Sequence, residues 1–168
     1  SLSSVLRKFQ LKTGIITKEQ FLFNSEVDAY ASVFVKPFIK SLKDKHDFTA
    51  VICEYAFTSK YLSYFDKTVF KILDTHDKFT DRFKVYLKNN LSPTWVSLYK
   101  NQERKALKRA SLILSVKDSD ATYFSEISGE NTTVFNYMPE INNNYTLSGS
   151  KTLLYAASAN EINIKTIK

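Results

Sequence analysis

Four short apolar runs alternate along the chain with polar stretches of helical spacing, and this alternation constrains the fold more than any other feature. The runs are rich in β-branched residues and cover residues 50–53, 68–73, 112–116 and 132–135. Short, continuously apolar strands are typical of a parallel sheet buried on both faces. The sequence therefore predicts an α/β fold with a mostly parallel sheet and helices on both faces.

Helical spacing is clearest in the segment that starts at Val27. Its apolar residues recur every three or four positions: Tyr30, Val33, Phe34, Phe38 and Leu42. We expect an amphipathic helix with these residues facing inward and with a kink or break at Pro37. The lysines of the same segment are expected on the solvent side: Lys36, Lys40, Lys43 and Lys45.

Other helices are predicted with less regular patterns. Residues 54–64 are expected to form a loop and a helix, and residues 93–110 a longer helix. Asp118 is a candidate N-cap for a helix that runs to about residue 127, and Gly129 suits its C-terminal end. Residues 1–25 show little periodicity, with a turn or short strand expected near residues 14–17.

Composition excludes several classes of protein. A chain of 168 residues is long enough for one domain, and three glycines and three prolines exclude collagen-like and low-complexity chains. The single Cys53 cannot form an internal disulfide or a cysteine-rich zinc site, which favours a reducing compartment. Because no apolar run approaches about 20 residues and the first eight residues lack the pattern of a signal peptide, we expect a cytoplasmic protein.

The net charge of +7 favours an anionic partner. Lys100, Arg104 and Lys108 recur every four residues and so lie on one helix face, which Lys105 and Arg109 widen. An ordinary solvated face is one interpretation of this stripe. The other is contact with anionic lipid at the inner face of the membrane. Nucleic acid is not expected as a partner, because the chain has no Gly-x-x-Gly loop, no zinc-finger spacing and no aromatic-rich RNA-binding strand.

A cluster of polar residues ends the second apolar run and is the first candidate for a functional site. Asp74, Thr75, His76 and Asp77 follow one another here, and ligands of open α/β sheets bind at the carboxyl ends of strands. In the functional interpretation, His76 donates a hydrogen bond to a polar ligand and Asp74 or Asp77 fixes its tautomer. Two alternatives remain: Asp74 or Asp77 caps the following helix and His76 is partly buried, or Asp74, His76 and Asp77 bind a metal ion with Asp81.

Residues 72–82, ILDTHDKFTDR, resemble the "LDtHDv…R" segment in the amino-terminal domain of family 4-like glycosyltransferases, which have the GT-B fold. Residues 103–116, ERKALKRASLILSV, resemble the helix-to-strand passage of the same family, with Ser111 where aspartate is usual. Residues 134–139 and 151–163 resemble the exit from the first domain and the start of the second. The resemblance extends over about residues 47–165 and depends on the order of these segments.

The resemblance implies a Rossmann-like sheet that forms one half of a GT-B fold. Residues 1–140 would be the acceptor-side domain, residues 141–150 a linker, and residues 151–168 the first strand of an otherwise missing donor-binding domain. Two departures support a fragment without turnover of its own. The glycine-rich loop usual near the start is reduced to Gly14, and no Glu-x7-Glu pair follows residue 150.

The resemblance also implies a reaction and the roles of individual residues. A sugar would pass from a nucleotide-sugar, the co-substrate, to a glycan or lipid-linked acceptor with retention and without a required metal ion or other cofactor. His76 would be the catalytic contact to the donor sugar, and the implied substrate-binding residues are Glu54, Asp74, Asp77 and Arg82. The family's usual role is bacterial polysaccharide assembly. A non-catalytic interaction domain of the same fold and a GT-B sugar-nucleotide epimerase are the alternatives.

Overall fold

A parallel sheet forms the centre of the molecule in the computed structural model, which describes residues 2–135 and 161–167. Its four strands are β1 (Ala50–Glu54), β2 (Phe70–Asp74), β3 (Leu112–Ser115) and β4 (Thr132–Val134). They lie side by side in sequence order, and each neighbouring pair is parallel. The predicted α/β class with a parallel, Rossmann-like sheet is confirmed, and the four strands predicted between residues 50 and 135 are present within two residues of their expected bounds.

Helices connect and flank the strands. The α-helices are α1 (Leu2–Lys12), α2 (Lys18–Phe23), α3 (Val35–Lys43), α4 (Phe83–Lys88), α5 (Lys100–Leu107), α6 (Asp118–Ser128) and α7 (Glu161–Ile167). Two 3-10 helices, Val27–Tyr30 and Ala56–Tyr64, precede α3 and follow β1. None of the described helices is both long enough and apolar enough to cross a bilayer.

The main core lies on one face of the sheet. The strand register aligns Cys53, Leu73 and Ile113, and the helices that connect the strands supply the opposite wall: Leu62, Leu107, Phe124 and Ile127. Successive right-handed crossovers between strands in sequence order place their helices on the same side of a sheet. On the other face, Ile52 and Phe70 stay 67% and 48% exposed, so packing among the described residues covers mainly one face.

The amino-terminal region contains two helices where little periodicity was expected. The predicted turn is present, since Gly14 has a φ of +74° between α1 and α2. Thr17 caps α2: its hydroxyl accepts the Gln20 N–H at 3.1 Å, while the Gln20 side chain accepts the Thr17 N–H at 3.0 Å. Sequence periodicity missed α1 because its apolar residues, including Phe9 at 58% exposure, do not form a buried stripe.

The prediction of an inward apolar face around Phe34 and Phe38 is wrong. α3 begins only at Val35, after the separate 3-10 helix, and Ile39 is its one buried residue. Phe34 and Phe38 are 81% and 62% exposed. Pro37 lies in the first turn of α3, where a proline removes no helical hydrogen bond, so no kink is needed.

The helix predicted over residues 93–110 is shorter in the structure, where α5 spans only Lys100–Leu107. Leu98, just before it, is bridged to Ser25 and to Thr80, which holds the preceding segment in an extended path. Asp118 is the first residue of α6 and not its cap, while Gly129 ends α6 with a φ of +73° as expected.

The six-residue α4 was not predicted, because so short a helix gives no clear periodicity. The predicted linker at residues 141–150 and the strand expected from residue 151 lie outside the described residues, apart from residues 161–167, which form α7.

Candidate functional site

The carboxyl ends of β1 and β2 bring two predicted site residues together. The register pairs Glu54 with Asp74 on adjacent parallel strands, which lie about 4.8 Å apart in such sheets. Paired residues in register point to the same face, so the two carboxylates are neighbours. Glu54 is exposed and Asp74 is partly exposed, which leaves both carboxylates accessible to hydrogen-bond donors of a ligand.

The residues that follow these two strand ends have unusual backbones. Tyr55 has a φ of +66° with a ψ of 136°, and His76 has a φ of +55°. The Asp77 N–H donates to the Thr75 carbonyl at 2.6 Å and closes a three-residue turn around His76. Positive φ at residues other than glycine costs about 1–3 kcal/mol and is concentrated at functional sites. The rings of Tyr55 and His76 stack with centroids 4.6 Å apart.

Asp74 is the carboxylate that faces the His76 imidazole. His76 Nε2 lies 3.6 Å from Asp74 Oδ2, somewhat beyond hydrogen-bond distance. This nitrogen is buried and has no hydrogen-bond partner, although 39% of the whole side chain is exposed. The ring therefore stands at the rim of the sheet with Nε2 turned inward and the rest of the ring partly open to solvent.

Asp77 and Arg82 form a second pair on the same loop. Arg82 Nη1 lies 3.0 Å from Asp77 Oδ2, and its guanidinium lies 5.4 Å from the centroid of the Phe79 ring. Arg82 is the N-terminal boundary residue of α4, and no side chain caps this helix. The alternative in which Asp74 or Asp77 caps the following helix is therefore wrong.

Two open cavities lie beside this pair. One of about 440 Å³ is lined by Tyr55, Asp77, Arg82 and Trp95, with contributions from α4 and α7. The other, of about 410 Å³, shares Asp77 and Arg82 and includes Lys117. His76 lines neither cavity, so the structure brings Glu54, Asp74 and His76 together at the rim and places Asp77 and Arg82 between the two cavities.

Glu103 holds the loop in place from inside. We call residues 75–82, between β2 and α4, the β2 loop. Glu103 is completely buried on α5, and its carboxylate accepts the Phe79 N–H at 2.6 Å, the Thr80 N–H at 2.9 Å and the Thr80 hydroxyl at 2.5 Å. Burial raises the pKa of Glu103, although these three donors oppose the shift. Sequence reasoning gave it no role; a lone acid beside the apolar Ala106 and Leu107 was the available signal.

Asp81 ties the other end of the β2 loop to α2. Its carboxylate accepts hydrogen bonds from the Asn24 side chain at 2.5 Å, from the Gln20 side chain at 3.1 and 3.2 Å and from Lys84 at 2.8 Å. Burial alone would raise the pKa of Asp81, but these donors lower it. Asp81 is thus engaged on the inner side of the loop. Within residues 2–135 and 161–167, no three His, Cys, Asp or Glu side chains are grouped as metal ligands would be.

The five cations of the basic stripe on α5 form two groups, one paired with an aspartate and one exposed. Lys105 and Arg109 contact Asp28 at 2.8 and 2.6 Å, and although burial opposes them, these bonds help to lower the pKa of Asp28 to about 2. The other three cations are exposed: Lys100, Arg104 and Lys108. Their contact with anionic lipid stays a prediction.

Comparison with known proteins gives the chain no relative. No model of a known protein family matches the sequence, no curated protein matches it, and no solved structure matches the fold. The resemblance of residues 72–82 and 103–116 to glycosyltransferases is therefore a basis for a proposal and does not assign the chain to that family.

Proposed function

We propose that the chain is the acceptor-side half of a glycosyltransferase that moves a sugar from a nucleotide-sugar to a glycan or lipid-linked acceptor with retention. The observation that supports this most is the grouping of Glu54, Asp74 and His76 at the carboxyl ends of adjacent parallel strands. Ligands of open parallel sheets bind at this edge. The motif resemblance of the β2 loop supports the same function.

A ligand rich in hydroxyl groups suits the two neighbouring carboxylates. Glu54 and Asp74 occupy directly paired positions on neighbouring strands, where like charges are unfavourable unless hydrogen-bond donors lie between them. Sugar hydroxyls are such donors, and charge-assisted hydrogen bonds to carboxylates are about twice as strong as neutral ones. The exposed part of Trp95 in the adjacent cavity offers an apolar surface to a sugar ring.

In the proposed reaction, the bond between the anomeric carbon and the diphosphate oxygen breaks and a bond to the acceptor oxygen forms. The hydroxyl proton of the acceptor passes to the departing diphosphate, which balances the step. Arg82 supplies positive charge towards the phosphate from a position between the two cavities. His76 contacts the donor sugar, and Glu54 and Asp74 bind acceptor hydroxyls.

The donor nucleotide is proposed to bind to a second domain, of which residues 151–168 resemble the beginning. The chain by itself is expected to bind acceptors but not to catalyse the transfer or hydrolysis of a nucleotide-sugar. Incubation with UDP-glucose, UDP-N-acetylglucosamine and GDP-mannose should release no free sugar above background. Robust hydrolysis or transfer of any of these would refute the half-site proposal.

A non-catalytic interaction domain of the same fold is the second candidate, and one observation favours it. His76 Nε2 is buried against Asp74, and the ring lines neither cavity. In that case the Tyr55–His76 stack serves only to pack the two strand ends. Acceptor binding that depends on the rim carboxylates separates this candidate from the transferase.

The test uses Trp95, the only tryptophan of the chain, as a fluorescent reporter in the cavity. We expect a saturable fluorescence change with short oligosaccharides such as maltose or chitobiose, and about tenfold weaker binding for Glu54→Gln or Asp74→Asn. Asp66→Asn is the matched control, since Asp66 is a surface acid whose partner is Lys43. No response to any glycan, or equal binding by the rim variants, would overturn the proposal.

A further inference from the structure

Three exposed apolar side chains form one surface at the start of α3. Val33, Phe34 and Phe38 are 77%, 81% and 62% exposed. Phe34 and Phe38 are four residues apart and therefore lie on the same side of the helix. Single exposed apolar residues are ordinary, whereas several that lie next to one another are typical of an interaction site.

A lysine-lined groove runs along the opposite flank of α3. It has a volume of about 590 Å³ and lies between α3 and the second 3-10 helix; its lining residues include Lys36, Lys40, Lys43 and Lys60. Lys43 is paired with Asp66 at 2.8 Å, and Lys60 with Asp28 at 3.2 Å. Lys36 Nζ lies 5.9 Å from the centroid of the Tyr64 ring, and among the described residues no acidic side chain pairs with Lys36 or Lys40, so neither charge has an anionic partner.

The two flanks can meet the same flat surface. At 100° per residue, Pro37 and Ser41 lie between the phenylalanine flank and the lysine flank, and both are exposed. If this outer side rests on a plane, the two rings reach it from one flank and the lysines from the other. The flexible stems of Lys36 and Lys40 allow their charges to extend towards that plane.

From these observations we infer that the α3 surface docks on an anionic phospholipid bilayer. We define the α3 surface as Val33, Phe34, Phe38, Lys36 and Lys40. The aromatic rings enter the interface, and the two lysines contact headgroup phosphates. Charge complementarity identifies the partner, because residues 33–45 contain four lysines and one aspartate.

Two other surfaces fit this partner less well. The open face of the sheet exposes Ile52 and Phe70, but the carboxylates of Glu54 and Asp74 stand at its end and would be repelled by anionic lipid. The basic stripe of α5 has charge, but the apolar residues of that helix, Ala106 and Leu107, are buried. The α3 surface combines exposed apolar groups with uncompensated positive charge. This inference does not depend on the proposed sugar transfer.

Vesicle co-sedimentation tests it with the whole chain and lipid of stated composition. The chain should bind vesicles of phosphatidylcholine and phosphatidylglycerol in equal parts and not vesicles of phosphatidylcholine alone. Lys36→Gln with Lys40→Gln should weaken binding about thirtyfold, since each lysine near such a surface contributes about 1 kcal/mol. The matched control, Lys100→Gln with Lys108→Gln, removes the same charge from α5 and should have a much smaller effect.

A second variant tests whether the apolar side chains of the α3 surface contribute to binding. Phe34→Ser with Phe38→Ser should remove the binding that persists at high salt, while its melting temperature stays close to that of the native chain because both rings are exposed. Binding that the α5 pair abolishes and the α3 pair leaves intact would overturn the inference. So would equal binding to soluble glycerol phosphate, or a dimer in solution that the two serine substitutions dissociate.

Discussion

On the inner side of the β2 loop, the carboxylates of Glu103 and Asp81 each accept several hydrogen bonds, whereas the polar groups on its outer side have one partner or none. Glu103 and Asp81 accept hydrogen bonds from backbone and side chains of α2, α4 and the loop itself. Asp77 makes one partly exposed ion pair, and His76 Nε2 has no hydrogen-bond partner. The same eight-residue loop thus has an inner side that hydrogen bonds hold in place and an outer side that is partly open to solvent.

The difference between the two sides explains how the strained turn around His76 persists. Positive φ at His76 costs free energy locally, and the loop keeps this conformation because Glu103 and Asp81 hold the residues that follow it. The outer groups need few bonds of their own to stay in position. They are therefore available to a ligand, which is the arrangement expected of a binding site on a rigid support.

The largest effect on stability is expected from removing the Glu103 carboxylate on the inner side of the β2 loop. Glu103→Ala leaves the buried N–H group of Phe79 and the partly buried N–H and hydroxyl groups of Thr80 without their acceptor, and should lower the free energy of unfolding by about 3–5 kcal/mol. Urea denaturation measures this. Glu126→Ala, an exposed acid on α6, is the control and should change stability by less than about 0.5 kcal/mol. Similar losses for both variants would contradict the anchoring role of Glu103.

A smaller loss of stability is expected when Asp81, the second residue that holds the β2 loop, is changed. Asp81→Asn keeps a side chain that tolerates the φ of +50° but removes the charged acceptor, and should cost about 1–2 kcal/mol at neutral pH. Because the folded state lowers the pKa of Asp81, this contribution is present above its ordinary value of 3.8 and is lost as the pH falls through the folded-state pKa. Native and variant melting temperatures should therefore converge in acid; a constant difference would argue against an electrostatic anchor.

On the outer side, removing the imidazole should hardly affect stability. His76→Gly relieves the positive φ but loses the stack on Tyr55, and because these two changes oppose each other, the free energy of unfolding should stay within about 1 kcal/mol of the native value. Acceptor binding should nevertheless fall, because the imidazole lies 3.6 Å from the Asp74 carboxylate that is proposed to bind acceptor hydroxyls. Thermal unfolding and the Trp95 titration measure the two quantities on the same sample. A large loss of stability in His76→Gly would mean that His76 helps to hold the loop in place, as Glu103 and Asp81 do.

The smallest effect on stability is expected for the Asp77–Arg82 pair. Both side chains are partly exposed, so a double-mutant cycle with Asp77→Asn and Arg82→Gln should give a coupling free energy below about 1 kcal/mol. The same cycle repeated at high salt should give a still smaller value, because solvent screens the pair. A coupling as large as the Glu103 effect would remove the distinction between the two sides.

The strands and the residues at their carboxyl ends could be located from the sequence because each depends on a local pattern. β-branched runs such as residues 50–53 mark strands, and the polar residues directly after a strand mark its carboxyl end. Glu54 and Asp74 lie at such ends and are register partners in the parallel pair, while the roles of Glu54, Asp74 and His76 in binding stay predictions.

The inner side could not be predicted, because its contacts join distant parts of the chain. Asn24 and Asp81 are 57 positions apart, and Glu103 reaches Phe79 across 24. Nothing in the residues near Glu103 specifies which backbone N–H groups it meets. The face of α3 was predicted wrongly for a related reason. Spacing shows which residues share a helix face, but only tertiary contacts decide that Ile39 is buried and Phe38 is not.

The central claim is that an acceptor glycan binds to Glu54 and Asp74 at the rim of the sheet and so lies beside His76, whose imidazole is 3.6 Å from the Asp74 carboxylate. The chain has only two histidines, so a proton–carbon NMR spectrum of the imidazole Hε1 groups should contain two signals, which His46→Gln would assign. Adding the oligosaccharide that saturates the Trp95 response should shift the His76 signal with the same concentration dependence and leave exposed His46 unchanged. A saturated Trp95 response with an unmoved His76 signal would contradict the account.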